Sequence, residues 1–106
     1  MFINFFKRKR DIKEITKDEL KFFLNNFNEV ILLDVRSHQE YEEGHLQGAI
    51  NIPIYELEKI VKNKIKNFDA VIIAYCSAGI RSKKAVKILK KLGYKNLYNI
   101  KDGINI

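Results

Sequence analysis

Tryptophan is absent from this 106-residue chain, and cysteine, proline and methionine occur once each. A lone cysteine cannot close an internal disulfide, so nothing asks for an oxidising compartment, and the expected location is the reducing cytoplasm. The two histidines, His38 and His45, have no metal-ligand partners at a usable spacing, so no metal is expected. The apolar start, Met1 to Phe6, falls far short of the about 20 residues that cross a bilayer. It is followed by Lys7-Arg8-Lys9-Arg10, whereas a secretory signal carries its charge ahead of the apolar stretch. Residues 1–10 are therefore read as an apolar and basic extension, residues 11–106 as one domain, and stable membrane insertion is not expected. Repeats, linkers and low-complexity segments are also missing, and nothing in the pattern asks for a second subunit, so a monomer is expected.

What is present is globular: 46% hydrophobic and 31% charged residues in a length that supports a single core. The formal net charge of +7 comes mostly from lysine. Lys83, Lys84, Lys87, Lys90 and Lys91 sit at helix-surface spacing rather than in a stripe interleaved with aromatics, so nucleic acid is not the expected partner. A basic surface of this kind favours the approach of small anions.

The hydrophobic periodicity alternates between strand and helix. Ile12 to Ile15 reads as a short strand, and Thr16-Lys17-Asp18-Glu19 as a capping box opening a helix at Lys17. Val30 to Val35 is apolar up to Asp34, as in a strand buried on both faces of a parallel sheet. Ser37-His38-Gln39-Glu40 is a second capping box, for a helix ending near Gly44. Ile50 to Ile52 is a short strand closed by Pro53, and Tyr55 to about Lys64 a helix. Ala70 to Tyr75 is a second buried strand, Ser82 to Leu92 an amphipathic helix, and Leu97 to Ile100 a last strand. This alternation predicts an α/β fold with a mainly parallel sheet, in which ligands collect beyond the carboxyl ends of the strands.

Two strand ends carry polar chemistry: Asp34 and Arg36 on one, Cys76 on the other. After Cys76 come Ser77, Ala78, Gly79, Ile80 and Arg81, a tight loop leading into the helix. Such a loop aims successive N–H groups inward, and the helix adds the positive end of its dipole. In that setting a thiol pKa falls from ~8.5 to roughly 3.5–7.5, which makes Cys76 a candidate nucleophile. Arg81 adds charge or holds the loop, and Ser82 is placed to cap the helix. The bland alternative for Cys76 is a buried apolar thiol. For Arg36 it is an ion pair with Asp34, Glu40 or Glu43. Asp34 is read as making structural hydrogen bonds, His45 as structural and His38 as surface.

Leu33-Asp34-Val35-Arg36 with Gly44-His45-Leu46-Gln47-Gly48-Ala49 and Asn51-Ile52-Pro53, together with Tyr75 to Ser82, make the chain resemble the rhodanese-like domain family of sulfurtransferases. The resemblance spans about residues 12 to 104. It implies a three-layer fold: a central five-stranded, mainly parallel sheet with helices on both faces. It also implies a Cys76 persulfide, formed from a small anionic donor such as thiosulfate, or from a persulfide, and passed to a thiol, to cyanide or to a protein acceptor, without a cofactor. The substrate-binding residues would be Ser77, Ala78, Gly79, Ile80, Arg81 and Arg36, with Asp34 and Ser82 in support. Position 77 is serine where many relatives carry arginine or a larger polar residue, and the tryptophan often found after the last strand is missing. Two alternatives stand beside this reading. One is a sulfur-carrier module that docks through its lysine-rich helix. The other is a cysteine-based phosphatase, disfavoured because such enzymes have five residues between nucleophile and arginine, and here there are four.

Overall fold

The computed structural model describes residues 12–105. The extension at residues 1–10, together with Asp11 and Ile106, lies outside the described residues. The elements in order are β1 (Glu14–Ile15), α1 (Lys17–Asn26), β2 (Val30–Asp34), α2 (His38–Glu43), β3 (Ile50–Asn51), α3 (Ile54–Lys64), β4 (Val71–Tyr75), α4 (Ile80–Leu92) and β5 (Asn96–Ile100). All strand pairs are parallel, in the order β1-β5-β4-β2-β3. The two strands with continuous apolar sequence are thus central neighbours, with Asp34 in register with Tyr75.

Successive residues of these strands point to opposite faces, and each face meets its own helices. Leu33, Ile72 and Ala74 join Leu57 and Val61 of α3 and Ala85, Val86 and Leu89 of α4 in one core layer. Leu32, Ile73 and Tyr75 join Leu20 of α1 in the other, with Tyr41 of α2 packed against it. This is why both strands are apolar on both sides. Each buried leucine or isoleucine stabilises the fold by about 1.5–3 kcal/mol relative to exposure.

Both capping boxes form. The Thr16 hydroxyl accepts from the Glu19 amide at 3.1 Å, and Glu19 accepts from the Thr16 amide at 2.8 Å. Ser37 and Glu40 repeat the exchange at 3.1 and 3.0 Å. Strands β2 to β5 fall within one residue of the sequence expectation at each end, and three other starts differ. β1 is limited to Glu14–Ile15, and α3 starts at Ile54, directly after Pro53 at its cap. α4 starts at Ile80, two residues before Ser82, with Gly79 at its cap. Ser82 therefore lies inside the first turn and is not the capping residue.

Candidate functional site

The loop from Cys76 to Gly79 leaves the carboxyl end of β4 and turns at once into α4. Its start is pinned by main-chain bonds on both sides: the Val35 amide donates to Tyr75 O at 3.1 Å and the Ile104 amide to Cys76 O at 2.8 Å. Gly79 takes φ 92° and ψ −8°, a left-handed conformation that glycine adopts without steric cost. That turn swings its N–H back onto the thiol, 3.1 Å from Sγ. The Ser82 N–H and hydroxyl each lie 3.4 Å from the same sulfur. Ser82 thus supplies Sγ with two hydrogen bonds instead of serving as the helix cap.

The loop is also held from behind. The turn after β5 brings Gly103, at φ 73°, against the carbonyl side of Ser77. A Cβ at Gly103 would lie 2.2 Å from Ser77 O and 2.6 Å from Ala78 N. Only a residue without a side chain lets the two segments approach this closely.

Cys76 is 1% exposed and lies within the apolar layer under α3 and α4. Burial pushes its pKa up. The Ser82 hydroxyl, followed by the Ser82, Ala78 and Gly79 amides, outweighs that push, and the net shift is downward. Donors that favour the charged form win over desolvation. Cys76 therefore has both attributes weighed in the sequence, an apolar surround and a set of convergent main-chain donors. The latter allow the sulfur to hold negative charge.

Each arginine is held by a carboxylate. Arg36 is 5% exposed: Nη2 donates to Asp34 Oδ2 at 2.7 Å and to Gly44 O at 2.6 Å, and Nε donates to Asp34 Oδ1 at 3.1 Å. Its backbone N–H also donates to Asp34 Oδ1, at 2.9 Å. Arg36 is a buried tie between the end of β2 and the end of α2. Asp34 makes the structural bonds expected of it. Arg81 faces Glu40 in a two-pronged pair, Nη1 to Oε1 at 2.6 Å and Nη2 to Oε2 at 3.0 Å. Ser77 Oγ lies 3.4 Å from both Glu40 Oε2 and Arg81 Nη2. The Arg81 guanidinium, first of all, and the Ser37 amide hold the Glu40 carboxyl down at about 2. Arg81 is thus a latch across the loop, and its charge still acts on the thiol.

Glu40 is the site residue that sequence reasoning missed. Its local pattern announces a capping box, and its partner lies 41 residues further on. Ser77 and Ala78 are exposed at the rim, and Ile80 is 77% exposed. His45 stacks on Tyr41 with ring centroids 3.7 Å apart and has a structural place. His38 is exposed and meets Asn51 and Glu56 at 2.8 and 3.0 Å. Among the described residues no three His, Cys, Asp or Glu side chains gather as a metal site, and no helix is long and apolar enough to cross a membrane.

A family model described as the Rhodanese-like domain matches residues 16–105. An uncharacterised protein of Bacillus subtilis (strain 168), YqhL, is 35% identical over 97% of this chain and 78% of its own length. A tRNA uridine(34) hydroxylase of Buchnera aphidicola subsp. Baizongia pistaciae is 38% identical over 96% of this chain, which spans only 34% of that protein. A putative sulfur carrier protein of B. subtilis (strain 168), YrkF, is 34% identical over 88% of this chain and 49% of its own length. Among solved structures, the human single-domain sulfurtransferase TSTD1 superposes with a TM-score of 0.76 at 25% identity, covering 86% of this chain and 90% of that one. SSP1007 of Staphylococcus saprophyticus subsp. saprophyticus gives 0.76 at 33% identity, covering 87% and 89%.

Proposed function

This chain belongs to the rhodanese-like domain family, and from that premise we propose that it is a sulfurtransferase in which Cys76 carries sulfane sulfur from a donor to an acceptor thiol or cyanide. The observation that carries this reading is the convergence of the Gly79 amide, the Ser82 amide and the Ser82 hydroxyl on one buried sulfur. Preorganised donors of this kind lower the cost of negative charge on the reacting atom without reorganising during the reaction.

The chemistry is two displacements at sulfur. The Cys76 thiolate attacks the outer sulfur of the donor and forms an S–S bond. The donor's own S–S bond breaks, and its electron pair leaves with sulfite, from thiosulfate, or with a thiolate, from an organic persulfide. An acceptor thiolate or cyanide then attacks the outer sulfur of the Cys76 persulfide, and Cys76 departs as the thiolate it was at the start. No further oxidant or reductant is consumed. A working thiolate suits the reducing cytoplasm, which we take to be the location.

Intact-mass measurement of the reduced protein after exposure to several sulfur donors tests this. The protein should gain the mass of one sulfur and lose it to added thiol or cyanide, and Cys76→Ala should gain nothing. A protein that takes no sulfur from any donor, or a variant that takes it equally well, overturns the proposal.

A second reading is a carrier module with little free turnover, in which the partner is an acidic protein. It is supported by the five exposed lysines along α4, which begins at the thiol loop, and by the name of the sulfur-carrier relative. A dock of this kind weakens with salt over the range where a Debye length shrinks from about 30 to 3 Å. A partner affinity indifferent to ionic strength excludes it.

A further inference from the structure

Two side chains in the first turn of α2 reach out in opposite directions. Glu40 reaches Arg81 and Ser77 at the thiol loop. His38 reaches the other way, to Asn51 at the end of β3 and to Glu56 in the first turn of α3. Its ring sits between two acceptors. Asn51 Nδ2 donates to Asp34 O at 2.9 Å and to Arg36 O at 3.1 Å, so turning that amide round would set its oxygen against two carbonyls. Asn51 Oδ1 is therefore the atom that faces His38 Nδ1, at 2.8 Å, and Nδ1 must carry a hydrogen. Nε2 lies 3.0 Å from a Glu56 carboxylate oxygen, which only accepts, so Nε2 must carry one too. A neutral imidazole has a single N–H, and the imidazolium alone meets both partners. The surroundings agree. Glu56 first, then Asn51, and at longer range Glu42 of α2 raise the pKa of the ring against a smaller loss of hydration. Lys64 of α3 is a cation lining the same cavity, together with Tyr41.

We propose that His38 is a proton-operated clasp: as the imidazolium it fastens α2 to both β3 and α3, and on losing a proton it lets one of the two go. The proton passes to solvent, and the nitrogen left bare turns its lone pair on an acceptor oxygen, so that contact changes from attraction to repulsion. The side chain is 59% exposed, so water competes for the tie and its strength is modest. The fold holds this proton more tightly than the unfolded chain does. The clasp is therefore complete below the ordinary histidine value of 6.5 and is lost as the pH rises through the higher folded value. The Glu40–Arg81 latch runs the other way, complete above pH 4.5 and lost as the pH falls toward about 2. Both ties are thus complete between pH 4.5 and 6.5, and at higher pH only the latch remains of the two. This device belongs to α2 and its neighbours and holds whatever Cys76 carries.

The test is a proton NMR titration of the two histidine rings in the full chain, with His38→Gln showing which signal belongs to His38. The His38 midpoint should lie above 6.5. In Glu56→Gln it should fall by about 0.5 unit or more, roughly a threefold loss of proton affinity. Equilibrium urea unfolding gives a second readout. Wild type should exceed His38→Gln in urea midpoint most at about pH 5.5, and the gap should shrink steadily toward about pH 9. Circular dichroism establishes that the variants are folded; if Glu56→Gln is not, the wild-type titration and the stability gap decide without it. A His38 midpoint at or below 6.5 overturns the clasp. So does a midpoint that a folded Glu56→Gln leaves in place, or a stability gap that stays constant or widens as the pH rises.

Discussion

Gly103 lies 27 residues beyond Cys76, yet it sets the shape of the loop that serves the sulfur. An alanine there would put its Cβ 2.2 Å from Ser77 O, 2.3 Å from Ser77 C and 2.6 Å from Ala78 N, where ordinary contact starts at 3.4 Å. The struck atoms are backbone, so the Ser77–Ala78 peptide must retreat by about an ångström, and the Gly79 amide, one residue on, is drawn off Sγ. A hydrogen bond to a charged group contributes about 1.5–3 kcal/mol. At about 1.4 kcal/mol per pKa unit, loss of one such bond raises the thiol pKa by roughly one to two units. Left-handed alanine also costs about 1–2 kcal/mol of stability, so a control must carry the same strain elsewhere. Gly93→Ala provides it, at φ 109° beyond the far end of α4, with only the Phe68 ring 3.3 Å away. The assay is the pH dependence of iodoacetamide alkylation, followed by intact mass; with one cysteine in the chain, no other thiol contributes. The midpoint should rise by one to two units in Gly103→Ala and stay at the wild-type value in Gly93→Ala. A folded Gly103→Ala with an unchanged midpoint refutes the role given to the turn.

Ser82→Ala removes the hydroxyl 3.4 Å from Sγ and should raise the alkylation midpoint by roughly one unit, the weaker end of a charged hydrogen bond. Its urea unfolding midpoint should change little. Asp34→Asn leaves the Arg36 guanidinium buried without its counter-charge, and equilibrium urea unfolding should register a loss of about 3–5 kcal/mol. For Glu40, the folded-state pKa of about 2 lies below the ordinary carboxyl value of 4.5, so its stabilisation is complete above pH 4.5 and fades as the pH falls toward 2. The difference in urea midpoint between wild type and Glu40→Gln should therefore be constant from pH 7 to 5 and shrink below 4.5; a difference that does not shrink contradicts the pairing with Arg81.

Local pattern carried the architecture well. The apolar runs ending at Asp34 and Tyr75 are the paired central strands, and both capping boxes sit at the helix starts they announce. The cysteine at the end of β4 and the glycine in its loop marked the site, because a thiol, a positive-φ residue and a helix start within five positions have few arrangements open to them. What escaped was decided by distant partners. Nothing around Ser82 separates a helix cap from a residue one turn in, since Gly79 caps α4 without a side chain. Arg81 was read as adding charge or holding the loop, and its partner Glu40, on α2, was not in view. Arg36 had three candidate carboxylates, and only the fold selects Asp34. The demand on Gly103 comes from Ser77, which no spacing rule connects to it.

The most direct test is a titration of the wild-type thiol, by alkylation rate or by the ultraviolet absorbance of the thiolate, in buffer and again in denaturing urea. If main-chain donors hold charge on Cys76, the folded midpoint lies below the ~8.5 of a free thiol and returns to that value on unfolding. A folded midpoint at or above the unfolded one would mean that burial prevails at this sulfur, and that the loop does not make it a nucleophile.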